Sequence, residues 1–309
     1  MVTSAGLHHI TAAATSARGN VRFYTRELGL RLVKRTVNFD DPGTWHLYYG
    51  DEIGSPGTAL TFFPWEGIPR GRHGSGQAEE IGFAVPRSSI AWWSERLSAR
   101  NIAHDQPVRR FDETVIAFKD ADGMLLELVG TDWAGDIRGW DNGDIPAEHA
   151  IRGLSGVSLW LTDTARTAEV LTRALGYRSA GEDNGRQRYV AGDGRLGGAI
   201  DLRKVDGPAG GFAGGIIHHI AFRAADDGEQ AAMVRALREL RIGATEQKDR
   251  NYFRSVYFRE PGGVLFEIAT DIPGFTIDEP VESLGTELRL PDWLEPHRQQ
   301  IAAALPPLA

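Results

Sequence analysis

Read as a string of apolar and polar positions, the chain repeats one pattern four times. A short strand-like run comes first, an amphipathic helical stretch follows, and several apolar stretches broken by turns close the unit. The opening runs are Leu7–Thr11, Glu80–Val85, Gly156–Leu161 and His218–Phe222. The spacing predicts helices over Asn20–Leu28, Ser89–Ala99, Ala165–Leu175 and Glu229–Leu240. Gly29 and Gly176 close the first and third of these as glycine caps.

Two stretches match in detail. Phe23-Tyr24-Thr25-Arg26-Glu27-Leu28-Gly29-Leu30 aligns with Val170-Leu171-Thr172-Arg173-Ala174-Leu175-Gly176-Tyr177. Phe118–Glu127 aligns with Phe258–Glu267, each a strand, a glycine turn and a strand with Glu four residues after Gly. Units therefore span 6–65, 77–132, 153–204 and 214–272. Residues 133–152, rich in Gly and Asp, read as a linker, and 273–309 form a tail whose stretch Arg298–Leu305 reads as a short helix. A unit of this length cannot bury its sheet face alone, so units must pair. The expected fold is α+β, with four βαβββ units paired into two curved open barrels, first with fourth and second with third.

Composition narrows the chemistry. The 309 residues include no cysteine, which excludes disulfides, thiolate metal sites and cysteine nucleophiles and leaves any metal to His, Asp or Glu. A formal charge of −8 gives no basic surface for nucleic acid. No apolar run reaches the roughly 20 residues that span a bilayer, and Met1–Gly6 has no signal-peptide character. The cytoplasm is the expected location.

The candidate chemistry sits at the unit openings. His8-His9 and His218-His219 stand at equivalent places in the first and fourth units, where the second and third carry Glu79-Glu80 and Ser155-Gly156. Strict strand alternation would send one histidine of each pair to the concave face and its neighbour away or to the rim. Glu267 shares a stripe with Leu265, opposite Val264, Phe266 and Ile268. Pairing of the first and fourth units would gather His9, His219 and Glu267. Two neutral imidazoles and a carboxylate with open positions suit Fe(II), with Mn(II) or Ni(II) in related sites, and also accommodate zinc. A single strand histidine is ordinarily a satisfied core or surface residue; two matched pairs make the ligand reading stronger. Glu127, the twin of Glu267, lacks histidine partners and reads as structural or as a relic of a metal site. Tyr257 alternates onto the side of Ser255, either a core aromatic or a cavity group, and Arg250 in Lys248-Asp249-Arg250-Asn251 reads from its neighbours as a solvated loop residue. His46 and Trp45 read as strand positions that could line a pocket.

These units, with a His/His/Glu set, resemble the vicinal oxygen chelate superfamily. Within it, Gly6-Leu7-His8-His9-Ile10-Thr11, Thr36–Gly43, His46–Asp51, Leu60–Trp65 and the tail Trp293–Arg298 are similar to hydroquinone ring-cleaving dioxygenases, across nearly the whole chain. That resemblance implies Fe(II), or Mn(II), on His9, His219 and Glu267, with supporting roles for His8, Thr11, His218, Arg250 and Tyr257. It implies O2-dependent cleavage of a hydroquinone-type phenol, substituted or chlorinated, with a histidine to accept the phenolic proton. Expected partners are a small aromatic substrate and O2, with homo-oligomerisation allowed and no nucleic acid or membrane. Two rivals are a glyoxalase-like isomerase or lyase and a small-molecule binding or resistance protein. The first commonly uses a further carboxylate or Gln ligand, where the first unit here has Leu60-Thr61-Phe62-Phe63. The second generally lacks the triad.

Overall fold

The computed structural model describes residues 4–141 and 143–308; the first three residues of the start, Asn142 of the linker and Ala309 of the tail lie outside it. Among the described residues, sixteen strands and five α-helices follow one another in the order the repeat requires. The first unit holds β1 (Leu7–Ala14), α1 (Ala17–Arg22), β2 (Arg31–Asn38), β3 (Asp41–Gly50) and β4 (Ala59–Pro64). The second holds β5 (Gln77–Pro86), α2 (Ile90–Ala99), β6 (Val108–Arg110), β7 (Glu113–Lys119) and β8 (Leu125–Thr131). The third holds β9 (Gly153–Leu161), α3 (Ala165–Arg173), β10 (Arg178–Asp183), β11 (Arg186–Val190) and β12 (Ala199–Lys204). The fourth holds β13 (Ile217–Ala224), α4 (Asp227–Glu239), β14 (Lys248–Asp249), β15 (Phe253–Arg259) and β16 (Leu265–Pro273), and α5 (Arg298–Ala304) lies in the tail.

Two eight-stranded sheets result. One runs β14-β15-β16-β13-β1-β4-β3-β2, the other β10-β11-β12-β9-β5-β8-β7-β6. The first and last units therefore share a sheet through the antiparallel seam β1·β13, and the middle units share the other through β5·β9. These are the two curved half-barrels the repeat requires. Buried stripes on the helices, such as Trp93 and Leu97 on α2 or Met233 and Leu237 on α4, pack on one face of each sheet. One apolar core joins the two sheets, with Tyr177 meeting Phe222 at a centroid distance of 5.8 Å.

Helix ends follow local chemistry. Ser16 and Asp226 cap α1 and α4 by accepting from the backbone N–H three residues on. The segment read as one helix over Asn20–Leu28 is instead α1 followed by a wider π-turn at Phe23–Glu27. Gly29 and Gly176 take φ of +73° and +72°, the left-handed geometry of a glycine cap. The tail folds back on the first unit: Arg289 N–H donates to Arg35 C=O, Trp45 Nε1 to Pro306 C=O, and fully buried Lys34 pairs with Asp278 and Glu279.

Strict alternation fails at one place in every unit. Each seam strand carries a β-bulge, so the register slips between Leu7 and His9, Thr11 and Ala12, Ala78 and Glu80, and Gly82 and Phe83 against their partners. A bulge sets two successive side chains on one side of a strand. Leu7 and Ile10 both face the core, as do Ile217 and Ile220, and the pairs between them turn to the other side, where His9, His218 and His219 line a cavity and His8 bonds His9 behind it. The expectation that one histidine of each pair points away is thereby overturned.

Candidate metal centre

The β1·β13 seam places Thr11 opposite His219 and His9 opposite Ala221. Parallel pairing of β16 with β13 sets Glu267 beside Ala221. One ligand atom from each of His9, His219 and Glu267 lies within 4.8 Å of the others, and all three residues are buried. Glu267 Oε2 stands 2.9 Å from His219 Nε2 and 3.5 Å from His9 Nε2, in a geometry that makes a hydrogen bond with neither. A fully buried carboxylate oxygen without a hydrogen-bond donor is costly; its convergence with two imidazole nitrogens is the arrangement that a divalent ion satisfies. Glu267 Oε1 is held by Ser255 Oγ at 2.5 Å. Burial opposes its charge, but His9 and His219 hold its pKa well below the ordinary carboxylate value.

The bulges give both histidines the same support. His9 Nδ1 lies 2.9 Å from His8 Nδ1, and His219 Nδ1 lies 2.7 Å from His218 Nδ1. With Nε2 of His9 and His219 aimed at the carboxylate, each Nδ1–H donates to its neighbour, an arrangement that fixes the tautomer and ring plane of a metal-ligating histidine. Burial pushes His8 and His218 down to a pKa of about 3, so both are neutral acceptors.

Around the cluster is a cavity of about 250 Å³, walled by Phe39, Phe63, Trp65 and Phe253 and by the polar groups His46, Tyr48, His218, Arg250 and Tyr257. Arg250 Nε donates to Tyr257 Oη at 3.2 Å and Nη2 to Asp40 at 3.0 Å. Arg250 is thus a cavity group braced by Tyr257, not the solvated loop residue its neighbours suggest. Burial raises the Tyr257 pKa well above the ordinary phenol value. Thr11 does not reach the cavity wall; its hydroxyl bonds Thr61 Oγ1 at 2.8 Å. Thr61 bonds His46 Nε2 at 2.9 Å, and His46 Nδ1 bonds the Tyr48 hydroxyl at 2.8 Å. Sequence reasoning passed over Thr61 and Tyr48. The available signal was the alternation of His46 and Tyr48, which line the cavity, with Trp45, Leu47 and Tyr49, which face the core.

A wider cleft of about 1030 Å³ lies where α1 and the π-turn of the first unit meet the other half-barrel, against the segment after α2, β7 and β8. Its Glu80 is already held by Arg186 and Arg203. The three converging ligand atoms, with the unsatisfied Glu267 Oε2 among them, are in the smaller cavity.

The profile of the Glyoxalase/Bleomycin resistance protein/Dioxygenase superfamily matches residues 6–128 and 153–268. The chain is 44% identical over 303 residues to a Bacillus subtilis protein named "Putative ring-cleaving dioxygenase MhqE", covering 98% of this chain and 99% of that one. It is 35% identical over 297 residues to the chlorohydroquinone/hydroquinone 1,2-dioxygenase of Sphingobium indicum, covering 94% and 92%. A crystal structure of a Bacillus subtilis protein named "putative dioxygenase" superposes with a TM-score of 0.94 at 41% identity, covering 100% of this chain and 99% of that one. Glyoxalase I from Zea mays shares the fold alone, with a TM-score of 0.64 at 15% identity over 86% of this chain and 92% of that one. Among the described residues no helix is long and apolar enough to cross a membrane. On its profile match and full-length relatives, this chain belongs to the glyoxalase/bleomycin resistance protein/dioxygenase superfamily.

Proposed function

We propose that the protein is a non-haem Fe(II)-dependent dioxygenase that cleaves the ring of a hydroquinone-type phenol with O2, with Mn(II) the alternative metal. The observation that carries this reading is the unsatisfied Glu267 Oε2 converging with His9 and His219 Nε2 beside an aromatic-walled cavity. Three donors on one side of an ion leave positions for substrate and O2. The names of the full-length relatives supply the substrate class. The cavity of about 250 Å³ suits a single ring, being below the roughly 300–1,000 Å³ of drug-sized sites.

When bound, the ion supplies Lewis acidity and an electron path between the electron-rich ring and O2. The side chains do the rest. His8 and His218 hold the ligand imidazoles in one tautomer by accepting at Nδ1. That tautomer leaves Nε2–H as their free group, so His218 faces the cavity as a donor and does not accept the phenolic proton there. Tyr257, its pKa raised, stays protonated, and since Arg250 donates to its oxygen its own O–H is free to donate to bound substrate. Arg250 adds positive charge beside developing negative charge. Phe63, Phe253 and Trp65 exclude water and position the ring.

Thr61 weighs against the glyoxalase-like alternative. It pairs with Thr11, two residues past His9, as Glu267 pairs with Ala221, two residues past His219. The place of a fourth carboxylate therefore carries a hydroxyl already engaged by Thr11 and His46. The test is anaerobic reconstitution with Fe(II) followed by an oxygen-uptake screen over hydroquinones and catechols. Uptake with a hydroquinone that depends on Fe(II) is expected; uptake indifferent to the metal, or none with any hydroquinone, would reject the reading.

A further inference from the structure

The register that defines the metal centre also defines a pair of tyrosines. Tyr257 stands opposite Glu267 across β15·β16, and Tyr48 stands opposite Thr61 across β3·β4. Because Thr61 occupies in the first unit the place of Glu267 in the fourth, Tyr48 is the counterpart of Tyr257. Two residues earlier the correspondence continues: Ser255 donates to Glu267, and His46 bonds Thr61. Strands β15 and β3 are each third from the β1·β13 seam, on opposite flanks. The curved sheet therefore turns the two tyrosines toward one cavity from opposite walls, and both line it.

Tyr48 is built to hold one position. Its ring packs against His46 at 4.0 Å and Phe275 at 5.0 Å between centroids. Its hydroxyl is fixed by His46 Nδ1, and the imidazole plane is fixed in turn by Thr61 and Thr11. A phenol hydroxyl offers one donor and two acceptor sites. The bond to His46 uses one, and the rest is directed at a cavity in which Tyr48 is otherwise surrounded by aromatic carbon. The middle units confirm that this position is not required by the fold. The residue paired with Glu127 is Ala117 and the residue paired with Asp201 is Arg188.

We propose that Tyr48 hydrogen-bonds a phenolic oxygen of the substrate from the wall opposite Tyr257, and that His46 is the positioning residue that aims it. The inference rests on the ring-cleaving reading above and adds a second substrate contact to it. The two walls would clamp the ring between hydroxyls whose directions are set before binding, so little orientation is left to be fixed on association.

The experiment is an anaerobic titration of the Fe(II)-loaded protein with hydroquinone, alongside steady-state oxygen uptake. Tyr48→Phe should bind hydroquinone about tenfold more weakly, the scale of one hydrogen bond, with iron stoichiometry unchanged. His46→Ala should match that loss, and His46→Gln, whose amide can accept from one hydroxyl and donate to the other, should restore most of it. The double variant Tyr48→Phe/His46→Ala should lose no more than either single one, because His46 acts through Tyr48. Wild-type affinity in Tyr48→Phe, additive losses, or iron loss in Tyr48→Phe would each overturn the inference. If the wild-type protein turns over hydroquinone while Tyr48→Phe is unaffected, only this inference fails. If the wild-type protein neither binds nor consumes hydroquinone, the ring-cleaving reading fails with it.

Discussion

The two half-barrels are built on one frame and put it to opposite uses. Both have a seam of two antiparallel strands, and both have a bulge in each seam strand. Glu127 pairs with Gly82 as Glu267 pairs with Ala221, and Asp201 pairs with Ser158 as Thr61 pairs with Thr11. In the half-barrel of the first and last units these positions hold two imidazoles, one carboxylate and one hydroxyl, with no arginine bonded to them among the described residues. In the middle half-barrel they hold Glu80, Gly156, Glu127 and Asp201, and arginines fill the space. Arg110 grips Glu127 through two bonds of 2.7 Å, Arg186 bonds Glu80 and Ser158, and Arg188 joins Asp201 to Glu113. The space enclosed among these four positions is about 10 Å³, apart from the open cleft of about 1030 Å³ that Glu80 and Glu127 also border, against about 250 Å³ at the candidate metal centre. A histidine could not replace Gly156 in any case, since its Cβ would lie 2.2 Å from Ala199 O. A buried carboxylate needs a counter-charge. When arginine provides it the site closes, and where two imidazoles converge on it the arrangement is one that a divalent ion would satisfy.

The comparison breaks most sharply at Thr61. Thr61→Glu gives the first unit the acid that the other three carry. The metal should be retained and the oxygen-uptake rate should fall about a thousandfold, the scale of losing a preorganised catalytic element, because a coordination position is taken. Iron content and oxygen uptake measured on the same sample check this. Arg110→Ala attacks the closed side. It removes both short bonds to Glu127 and leaves only Arg186 at 3.8 Å, which should cost about 3 kcal/mol of stability, the low end for a broken buried pair, read by denaturant unfolding, while a metal titration of the folded fraction stays unchanged.

Acid should separate the two halves as well. His8 and His218 are neutral when folded, with pKa values of about 3 against 6.5. Between those values the unfolded chain binds more protons, so stability rises with pH and is lost on acidification from neutrality. At pH 5 the loss is about 2 kcal/mol for each of the two in the metal-free protein. Glu80 in the closed half has a lowered pKa: its burial is offset by Arg186 and Arg203. Its contribution is present above its unfolded value of 4.5 and is lost only as pH falls below that. Unfolding free energies at pH 7 and 5 should therefore differ, and His8→Gln should shrink the difference. The smallest effect is expected from Tyr257→Phe, which keeps the metal and slows turnover about tenfold, the scale of one hydrogen bond; metal loss in that variant would place Tyr257 among the supporting groups.

The repeat was legible because its signals are local. Apolar periodicity, the glycine caps at Gly29 and Gly176 and the strand-turn-strand ending in Glu127 or Glu267 survive in one sequence. His9, His219 and Glu267 were legible for a related reason: the His-His pairs break the pattern of the middle units. What escaped depends on register. A bulge adds one residue without a composition signal, so the shared orientation of His8 with His9 could not be read from alternation. Thr61, His46 and Tyr48 are ordinary strand residues until β4 is set beside β1 and β3. Arg186 and Arg188, in Arg186-Gln187-Arg188-Tyr189-Val190, carry no local signal, and only sheet closure sets them against Glu80, Glu113 and Asp201.

The central claim is a single metal centre formed where the two ends of the chain meet. It is tested most directly by anaerobic Fe(II) titration of the wild-type protein and His219→Ala, with bound iron measured per chain after removal of free metal. One ion per chain in the wild type, and none in a folded His219→Ala that has also lost oxygen uptake, is the predicted result. Stoichiometric iron together with wild-type activity in His219→Ala would contradict it.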